Sequence, residues 1–491
     1  MVRCWVFLFG WMLLSGCSMP DADTIRFGLA STPTNLDPRF ATDATSERIN
    51  RLLYVRLVDF DEHARPVPAL ATWEQLTDRH YRFHLSGKGR RFHDGTRLDA
   101  GDIAATYRSI LDPDTASPQR GTLAMVERIE IVNPDTVDFF LNRADALFPT
   151  FLTIGILPAA GIEAGNAFHH HPTGSGPFRL HSWPESGPLT LERISDRQLF
   201  VFEQVHDPTM RVLKLMRGEI DILQNDLPPE LLHYLAERAG IQVRTHRGSN
   251  FSYLGFQLQD PDTRKAAVRR AIALAIDREA IIRYIFRGAA RPASALLVPE
   301  HWAGNTRLEN IESDPDAAKR LLAQAGYDAD NPLHISYKTS SDPFRVRIAT
   351  ILQQQLAQAG IIVDVQSYDW GTFYADIKAG RFQLYSLTWV GIKSPDIFRY
   401  AFHSDSQPPA GANRGRLQDA AIDRMIEQAM TAKDTKRQAT IYAALQARLL
   451  EQLVYVPLWY EDQYYAARDD IKGYSLATDG NYDALLATVR R

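Results

Sequence analysis

Three consecutive histidines, His169, His170 and His171, are the residues of this sequence that most directly suggest metal chemistry. Imidazole nitrogens are common ligands of zinc and nickel. Neighbouring side chains of an extended segment point to opposite faces, however, so three in a row do not converge on one ion. No acidic residue or further histidine stands at a spacing that would complete a site. We therefore interpret this stretch as a loop and expect no metal site and no cofactor.

Motifs for covalent or hydrolytic catalysis are missing from the sequence. There is no Gly-x-Ser-x-Gly elbow, no His-Glu-x-x-His helix and no complete phosphate-binding loop. The Gly-Ser-Gly stretch at 174–176 lacks the Gly-Lys-Ser/Thr ending of such a loop, and its glycines are expected to permit a positive φ at a turn. A carboxylate pair for glycoside hydrolysis can always be drawn from 59 acidic residues. We expect a protein that is not an enzyme, with an exported hydrolase as the alternative.

The two cysteines, Cys4 and Cys17, both lie close to the N-terminus. Arg3 precedes an apolar run over 4–14 that is too short to span about 30 Å of hydrocarbon but fits an export signal. The run ends in Leu-Ser-Gly-Cys, which resembles the lipobox of bacterial lipoproteins, where cleavage leaves an acylated N-terminal cysteine. This predicts a signal peptide over 1–16 and lipid attachment at Cys17. The alternatives are a buried first helix or an ordinary signal peptide with a chance cysteine.

Charge and composition exclude several classes of partner. Removal of the signal peptide takes away one charge, that of Arg3, and moves the net charge from −4 to −5. This mild acidity gives no reason to expect a nucleic acid. The chain is 45% hydrophobic and 23% charged, as in ordinary globular proteins. No second apolar run of about 18 residues follows the first, so the mature body is expected to be soluble. We also expect a monomer.

Short strands alternate with helices, which predicts the α/β fold class. Residues 24–29, 81–85 and 136–141 have the composition and alternation of strands. The segment 313–326 reads as a helix, with Asp314 as its N-cap and Gly326 as its left-handed stop. Further elements are expected as a helical stretch at 268–285 interrupted by a cap at Asp277, a helix at 344–359 and a strand at 361–365. Asp102 is expected to cap another helix that continues through Tyr107.

A set of short motifs is spread over most of the chain in a fixed order. They lie at 68–74, 81–85, 91–96, 100–103, 172–178, 217–221, 268–278 and 456–458. Together they resemble the signature of the family 5 extracellular solute-binding proteins, the oligopeptide-, dipeptide- and nickel-binding lipoproteins of ABC importers. The Pro-Thr-Gly-Ser-Gly-Pro-Phe segment at 172–178 is similar to that family's Pro-x-Gly-Thr-Gly-Pro-Tyr turn. The order of the motifs gives them a weight that none has alone.

The resemblance implies a periplasmic binding protein-like type II fold, with two α/β lobes hinged around a cleft and an extra subdomain inserted in the first lobe. Mapped onto this chain, lobe I takes residues 24–56, 176–260 and 460–491. The inserted subdomain takes 57–175, and lobe II takes 261–459. Closure of the lobes around a ligand is a hinge motion.

The function implied by the resemblance is the capture of a small, peptide-like solute outside the cytoplasm and its delivery to the permease subunits of an ABC importer. The lipid would hold the protein to the inner or the outer membrane of the cell envelope. An alternative is a sensor or chaperone subunit that uses the same cleft without import. The sequence offers nothing that separates the two.

The ligand's amine is the point where this chain departs from the family. In peptide-binding members, an aspartate in a Trp-x-Gly-Asp stretch pairs with the ligand's α-ammonium. The matching stretch here is 389–396, and Ile392 takes the place of that acid. An apolar side chain cannot neutralise a buried ammonium, and an unpaired buried charge is costly. Either Asp396 takes the role, or the ligand has no free α-amine.

Further candidate site residues follow from the same resemblance. Arg345 and Arg347 lie where an arginine takes the ligand carboxylate in dipeptide-binding members, and a guanidinium suits a carboxylate; a solvated helix face is the alternative. Arg414, in a loop similar to one near the family's cleft mouth, could meet an anion or belong to a plain surface loop. The expected pocket floor, for which core packing is the alternative, consists of Tyr385, Trp389 and Phe398.

Overall fold

Helices and strands alternate along nearly the whole chain in the computed structural model, which describes residues 24–87 and 90–491. The α/β class predicted from the sequence is confirmed. The strands are β1 (Thr24–Leu29), β2 (Val58–Phe60), β3 (Pro66–Pro68), β4 (Ala71–Thr77), β5 (His80–Leu85), β6 (Val126–Asn133), β7 (Thr136–Leu141), β8 (Phe178–Ser182), β9 (Leu189–Arg193), β10 (Leu199–Gln204), β11 (Ile222–Gln224), β12 (Ile241–Phe256), β13 (Ala290–Pro292), β14 (Leu333–Ser340), β15 (Ile361–Tyr368), β16 (Leu384–Trp389), β17 (Tyr455–Arg468), β18 (Ile471–Lys472) and β19 (Val489–Arg490).

The helices are α1 (Ala44–Leu53), α2 (Ala100–Leu111), α3 (Ala159–Glu163), α4 (Pro208–Arg217), α5 (Pro229–Ala236), α6 (Ala266–Leu274), α7 (Arg278–Tyr284), α8 (Pro315–Gln324), α9 (Pro343–Gln358), α10 (Trp370–Ala379), α11 (Ile397–Phe402), α12 (Ala420–Thr431) and α13 (Thr435–Gln452). Among the residues that the structure describes, no helix combines the length and the apolar character needed to cross a bilayer. The predicted signal peptide and Cys17 lie outside the described residues.

One large sheet runs through both halves of the molecule. Its strand order is β15-β14-β16-β12-β17-β11-β1-β10-β9-β8, and β13 pairs with β17. We call the half built on β1 and β8–β11 the first lobe. The half built on β14–β16 and on helices α6–α13 is the second lobe. β14 is parallel to both β15 and β16, so the carboxyl ends of these three strands meet at one edge of the second lobe.

Two long antiparallel strands join the lobes. β12 pairs with β16 in the second lobe, and β17 pairs with β11 in the first. The β12–β17 ladder is interrupted between His246 and Asn250. The segment after β17 returns to the first lobe, because Tyr474 and Tyr482 share a core cluster with β1. Few backbone connections therefore cross the junction, which is the arrangement of a hinge.

A separate four-stranded sheet, in the order β4-β5-β7-β6, forms the inserted subdomain with α2 packed on it. It contacts the second lobe directly. The amide of Ala146 donates to the carbonyl of Met430 at 2.9 Å, and the hydroxyls of Thr150 and Ser394 are 3.2 Å apart. The residue boundaries of lobes and insertion drawn from the sequence stay a prediction.

The N-terminal caps of the helices can be compared with the capping residues predicted from the sequence. Asp314 accepts from the amide of Ala317, and Asp277 caps α7 in the same way, as predicted. The prediction for Asp102 was wrong. Asp99 is the N-cap of α2, and Asp102 lies in the first turn, where its carboxylate accepts from the Asp99 amide at 2.8 Å. The two acids form a capping box, whose partners are three residues apart. The sequence-based prediction therefore placed the N-cap about one turn too late in the chain.

The Gly-Ser-Gly turn at 174–176 serves close packing rather than an unusual backbone angle. Neither Gly174 nor Gly176 has a positive φ, so the reason given from the sequence was wrong. A Cβ on Gly174 would lie 1.9 Å from the carbonyl oxygen of Leu53, and one on Gly176 would lie 2.4 Å from that of Leu52. The end of α1 therefore sits directly on this turn, at a distance only glycine allows.

Candidate functional site

A cavity of about 240 Å³ opens at the carboxyl edge of the second lobe. Ligands bind at this edge in open α/β sheets, because the loops leave a crevice there. Its walls come from β12, β14, β16 and β17 and from the N-terminal parts of α9 and α10. The lining residues are Ser252, Tyr253, Thr339, Ser340, Arg345, Ile348, Trp370, Phe373, Ser386, Leu387, Thr388, Val390, Leu458 and Trp459. The wall is largely apolar with several hydroxyls and a single charged side chain.

That charged side chain is Arg345, one of the residues predicted from the sequence. Asp342 caps α9 by accepting from the Arg345 amide at 3.0 Å. This contact fixes the backbone position of Arg345 in the first turn of the helix. Its Nη1 lies 3.2 Å from Oε1 of Glu461, and the same oxygen accepts from the hydroxyl of Ser252 at 2.8 Å. The carboxylate of Glu461 raises the pKa of Arg345. A guanidinium held at a cavity wall in this way suits an incoming anionic oxygen.

Arg347 points elsewhere. Its Nη1 lies 2.7 Å from Oε1 of Glu230, at the start of α5 in the first lobe. Both side chains are more than a third exposed to solvent, so the pair adds little energy on its own. It does show that α9 and α5 face each other across the junction of the lobes.

Tyr385, Trp389 and Arg414 are brought together around a second, much smaller cavity of about 30 Å³, which has room for no more than a water molecule or two. Arg414 is buried, so the alternative of a plain surface loop does not hold for it. It donates to the hydroxyl of Tyr253 at 3.0 Å and lies 4.8 Å from the ring of Trp389. The hydroxyls of Tyr253 and Tyr385 are 3.4 Å apart. This cluster supports the wall of the larger cavity, which Tyr253 also lines.

Asp396 and Phe398 line neither of these two cavities. Asp396 precedes α11 on the face that meets the inserted subdomain, and burial raises its pKa to about 6 although a hydrogen bond from Ser394 opposes the shift. No ion pair of Asp396 occurs in the described part of the chain. Phe398 is fully buried and stacks on Tyr442 with ring centroids 5.5 Å apart. The binding roles suggested for both residues stay predictions.

The residue after Ile392 has a role that the sequence did not reveal. Ile392 packs against the second-lobe core, whereas Nζ of Lys393 lies 2.5 Å from Oδ2 of Asp479 in the first lobe. His301 fixes this segment. Its Nδ1 accepts from the Ala303 amide, so its Nε2 carries the proton and donates to the Lys393 carbonyl at 3.0 Å. Burial lowers the pKa of His301 to about 4, which keeps the ring neutral at pH 7.

Several polar residues at the junction were missed by the sequence reading. Glu461 and Gln463 interrupt the mainly apolar β17, and a polar residue inside such a strand is a usable signal. Asn225 and Asp226 follow β11, and an Asn-Asp pair after a strand favours a left-handed turn. Both have positive φ, 56° and 57°. These signals give residue types and local geometry, but they do not show that the residues meet.

The three histidines do not form a metal site in the structure. His169, His170 and His171 are all exposed. The first two rings are 4.8 Å apart, and the second packs at the same distance on Trp183. Within residues 24–87 and 90–491, no group of three or more histidine, cysteine or acidic side chains is placed to hold a metal ion.

Comparisons with known proteins agree with this architecture. The family model for bacterial extracellular solute-binding proteins, family 5 Middle, matches residues 65–409. The dipeptide-binding protein of Pseudomonas aeruginosa is 25% identical over 518 aligned positions, which cover 97% of this chain and 96% of that protein.

Two solved structures show the fold. The binding protein DppA from Helicobacter pylori in complex with peptide STSA has a TM-score of 0.80 and 25% identity, covering 95% of this chain and 98% of that one. NikZ from Campylobacter jejuni in complex with Ni(L-His) has a TM-score of 0.81 and 22% identity, covering 96% and 100%. The predicted type II binding-protein fold is thereby confirmed, and the relatives are binding proteins rather than enzymes. This chain belongs to the bacterial extracellular solute-binding proteins of family 5.

Proposed function

We propose that this protein captures a small, peptide-like solute between its two lobes and delivers it to the permease subunits of an ABC importer. The observation that carries the proposal is the cavity of about 240 Å³ at the carboxyl edge of the second lobe, with Arg345 in its wall. The cavity is smaller than the roughly 300–1,000 Å³ of pockets that enclose drug-sized ligands. This size favours a solute of very few residues over a long peptide.

The names of the relatives support the same class of ligand. The Pseudomonas aeruginosa relative is a dipeptide-binding protein, and the Helicobacter pylori structure holds a peptide. In this chain, Arg345 is the group we assign to a ligand carboxylate. The Tyr385–Trp389–Arg414 cluster acts as the rigid support behind Tyr253. Apolar side chains around Trp370 and Trp459 would contact the ligand's own side chains.

Isothermal titration calorimetry with a panel of di- and tripeptides, after native mass spectrometry of the purified protein to identify any retained solute, tests the proposal. Arg345→Gln is expected to weaken binding of peptides with a free carboxylate by about tenfold, because a charge-assisted pair is lost. Arg320→Gln, on the exposed side of α8, is the matched control and should leave affinity unchanged. Failure of the wild type to bind any peptide or to retain any solute would refute the peptide-like ligand.

The same proposal places the protein outside the cytoplasm as a monomer held to a membrane through lipid on Cys17. The support is the apolar run and the Leu-Ser-Gly-Cys sequence at 14–17, and one lipidated cysteine with several acyl chains gives durable attachment. Cys17→Ala should move the protein from the membrane to the soluble fraction. Cys4→Ser, within the segment removed by cleavage, should leave it on the membrane. Membrane association of the Cys17→Ala protein would contradict the anchor.

A further inference from the structure

A second group of polar side chains faces the lobe junction from the first lobe. These side chains do not line the cavity at Arg345. Its members are Arg48 on α1, Asp226 after β11 and Gln463 in β17. The inference drawn from them rests on the proposed function and concerns which end of the solute the first lobe holds.

Asp226 has a rigid backbone and an unused carboxylate. Its own carbonyl accepts from the guanidinium of Arg211. The preceding residue, Asn225, accepts from the Tyr464 amide at 3.0 Å and donates to Oε1 of Gln463 at 2.5 Å. Within the described residues, the Asp226 carboxylate makes no hydrogen bond and no ion pair. Two successive non-glycine residues at positive φ are costly, and such strain persists where the surrounding structure imposes it.

The surroundings of Asp226 are those of a cleft wall. The residue is exposed to solvent, yet the surrounding protein raises its pKa, while the positive charges of Arg48 and Arg211 lower it and Glu461 raises it. A carboxylate that solvent reaches but protein surrounds can accept a small cation without first breaking another contact. Glu461, the partner of Arg345, lies two residues before Gln463 in β17, so the first-lobe group and the second-lobe cavity border the same strand.

Gln463 supplies a donor that lacks a partner. The residue is 1% exposed, and its Nε2 is buried without a hydrogen-bond partner in the part of the chain that the structure describes. An unsatisfied buried donor costs about 1–3 kcal/mol. Its amide and the guanidinium of Arg48 meet at Gly480. Oε1 of Gln463 and Nη2 of Arg48 lie 2.8 and 3.3 Å from the point where that residue would carry a Cβ.

Arg48 is the cationic member of the group. Its guanidinium carbon lies 5.5 Å from the centre of the Tyr482 ring. Among the residues described, no carboxylate forms an ion pair with it, although Asp226 is close enough to feel its charge. Arg48 and Asp226 are thus opposite charges at the same wall that do not form an ion pair with each other.

We propose that Asp226, Arg48 and Gln463 form a subsite for the ammonium-bearing end of the solute. Asp226 accepts from the ammonium, and Arg48 with Nε2 of Gln463 donates to the oxygen on the next carbon. That oxygen is a carbonyl in a peptide and a carboxylate in a free amino acid, and both present the same N–C–C–O unit. A peptide would then extend from this subsite toward Arg345. A free amine would be required, even though Ile392 offers no acid to it.

Calorimetry of wild type and Asp226→Asn tests this with three probes: L-alanyl-L-phenylalanine, its N-acetyl derivative and L-phenylalanine. Asparagine tolerates positive φ, so the variant should keep the fold; the matched control is Asp330→Asn on an exposed loop. We expect the wild type to prefer the free dipeptide over the acetylated one. Asp226→Asn should weaken the free dipeptide by about 10- to 100-fold and remove that preference. If L-phenylalanine binds and Asp226→Asn weakens its binding equally, the subsite accepts a free amino acid. If L-phenylalanine does not bind, the subsite accepts the N-terminus of a peptide.

Two outcomes would overturn the subsite while leaving the proposed function in place. One is a wild type that binds both dipeptides equally. The other is an Asp226→Asn variant that keeps the wild-type preference for the free amine. A wild type that binds none of the three probes, nor any member of the wider peptide panel, would overturn the proposed function and this inference with it.

A second variant, Gln463→Glu, keeps the acceptor for Asn225. It should weaken binding of the free dipeptide, because the added carboxylate oxygen repels the oxygen of the solute.

Discussion

Nζ of Lys393 in the second lobe lies 2.5 Å from Oδ2 of Asp479 in the first, and this ion pair ties the lobes together beside the junction. Although burial favours the neutral acid, the ammonium of Lys393 lowers the pKa of Asp479. Both side chains are less than a third exposed, so the contact is stronger than a typical surface pair. Because its two members belong to different lobes, we expect this pair to stabilise the arrangement in which the lobes lie close together.

Removal of the Lys393 ammonium should therefore favour the open arrangement. Lys393→Met is expected to increase the radius of gyration in small-angle X-ray scattering without ligand. It should weaken solute binding by about threefold to tenfold, since closure loses about 1 kcal/mol. Lys319→Met, which removes only a pair within α8, is the control. Unchanged scattering and affinity in the Lys393→Met protein would show that the pair does not contribute to closure.

The carboxyl group of Asp145 should make stability depend on pH. It is fully buried, its Oδ2 has no partner among the described residues, and burial raises its pKa to about 6 while the Leu147 amide opposes the shift. The folded chain then keeps a proton that the unfolded chain releases from about pH 4 upward. The protonated carboxyl stabilises the folded chain only at low pH. The free energy of unfolding therefore falls as pH rises from about 4 toward 6.

Asp145→Asn should consequently raise the free energy of unfolding at pH 7.5 by about 1–3 kcal/mol and give no gain near pH 4. Chemical denaturation at several pH values measures this. Asp114→Asn, an exposed position in the same subdomain, should show no such pH-dependent difference. A gain for Asp145→Asn that is equal at both ends of the pH range would contradict the raised pKa.

Gly174 should be among the least replaceable glycines of the chain. A Cβ there would lie 1.9 Å from the Leu53 carbonyl oxygen and 2.8 Å from its carbon, both backbone atoms of α1. Gly174→Ala is expected to lower the free energy of unfolding by about 3 kcal/mol or more, because the helix end must move. Gly121 has a helical backbone with open space around it, so Gly121→Ala should be neutral or slightly stabilising. Equal melting temperatures for both variants would refute the close-packing explanation.

Arg269 should be required as arginine rather than as a positive charge. Its guanidinium donates to four backbone carbonyls, those of Thr263, Arg264, Gln452 and Leu453, at 2.7 to 3.2 Å. Lysine cannot reach all of them from one point. Arg269→Lys is expected to cost about 3 kcal/mol in urea denaturation, whereas Arg270→Lys on the exposed face should change stability by about 0.5 kcal/mol or less. A similar cost at both positions would contradict this role.

Local signals in the sequence predicted the elements well where the signal and its partner lie within one turn or one strand. β1 and β7 begin and end where the alternation of residues indicated, and Asp277 and Asp314 cap their helices. Asp102 was misplaced by one turn because two acids, three residues apart, share the capping box. Either aspartate is a suitable N-cap residue, so the residue types alone do not show at which of the two the helix begins.

By itself, the sequence determined the fold class, the order of the elements and the family, because each depends on short-range patterns and on motifs in order along the chain. Only the tertiary structure decided what stands at the lobe junction. Asn225 and Gln463, which share a hydrogen bond, are 238 residues apart in the sequence, and Lys393 and Asp479 are 86 apart, so no local pattern relates them. The first pair meets because β11 pairs with β17, and the second because the segment after β17 packs on the first lobe; both depend on the packing of the whole molecule.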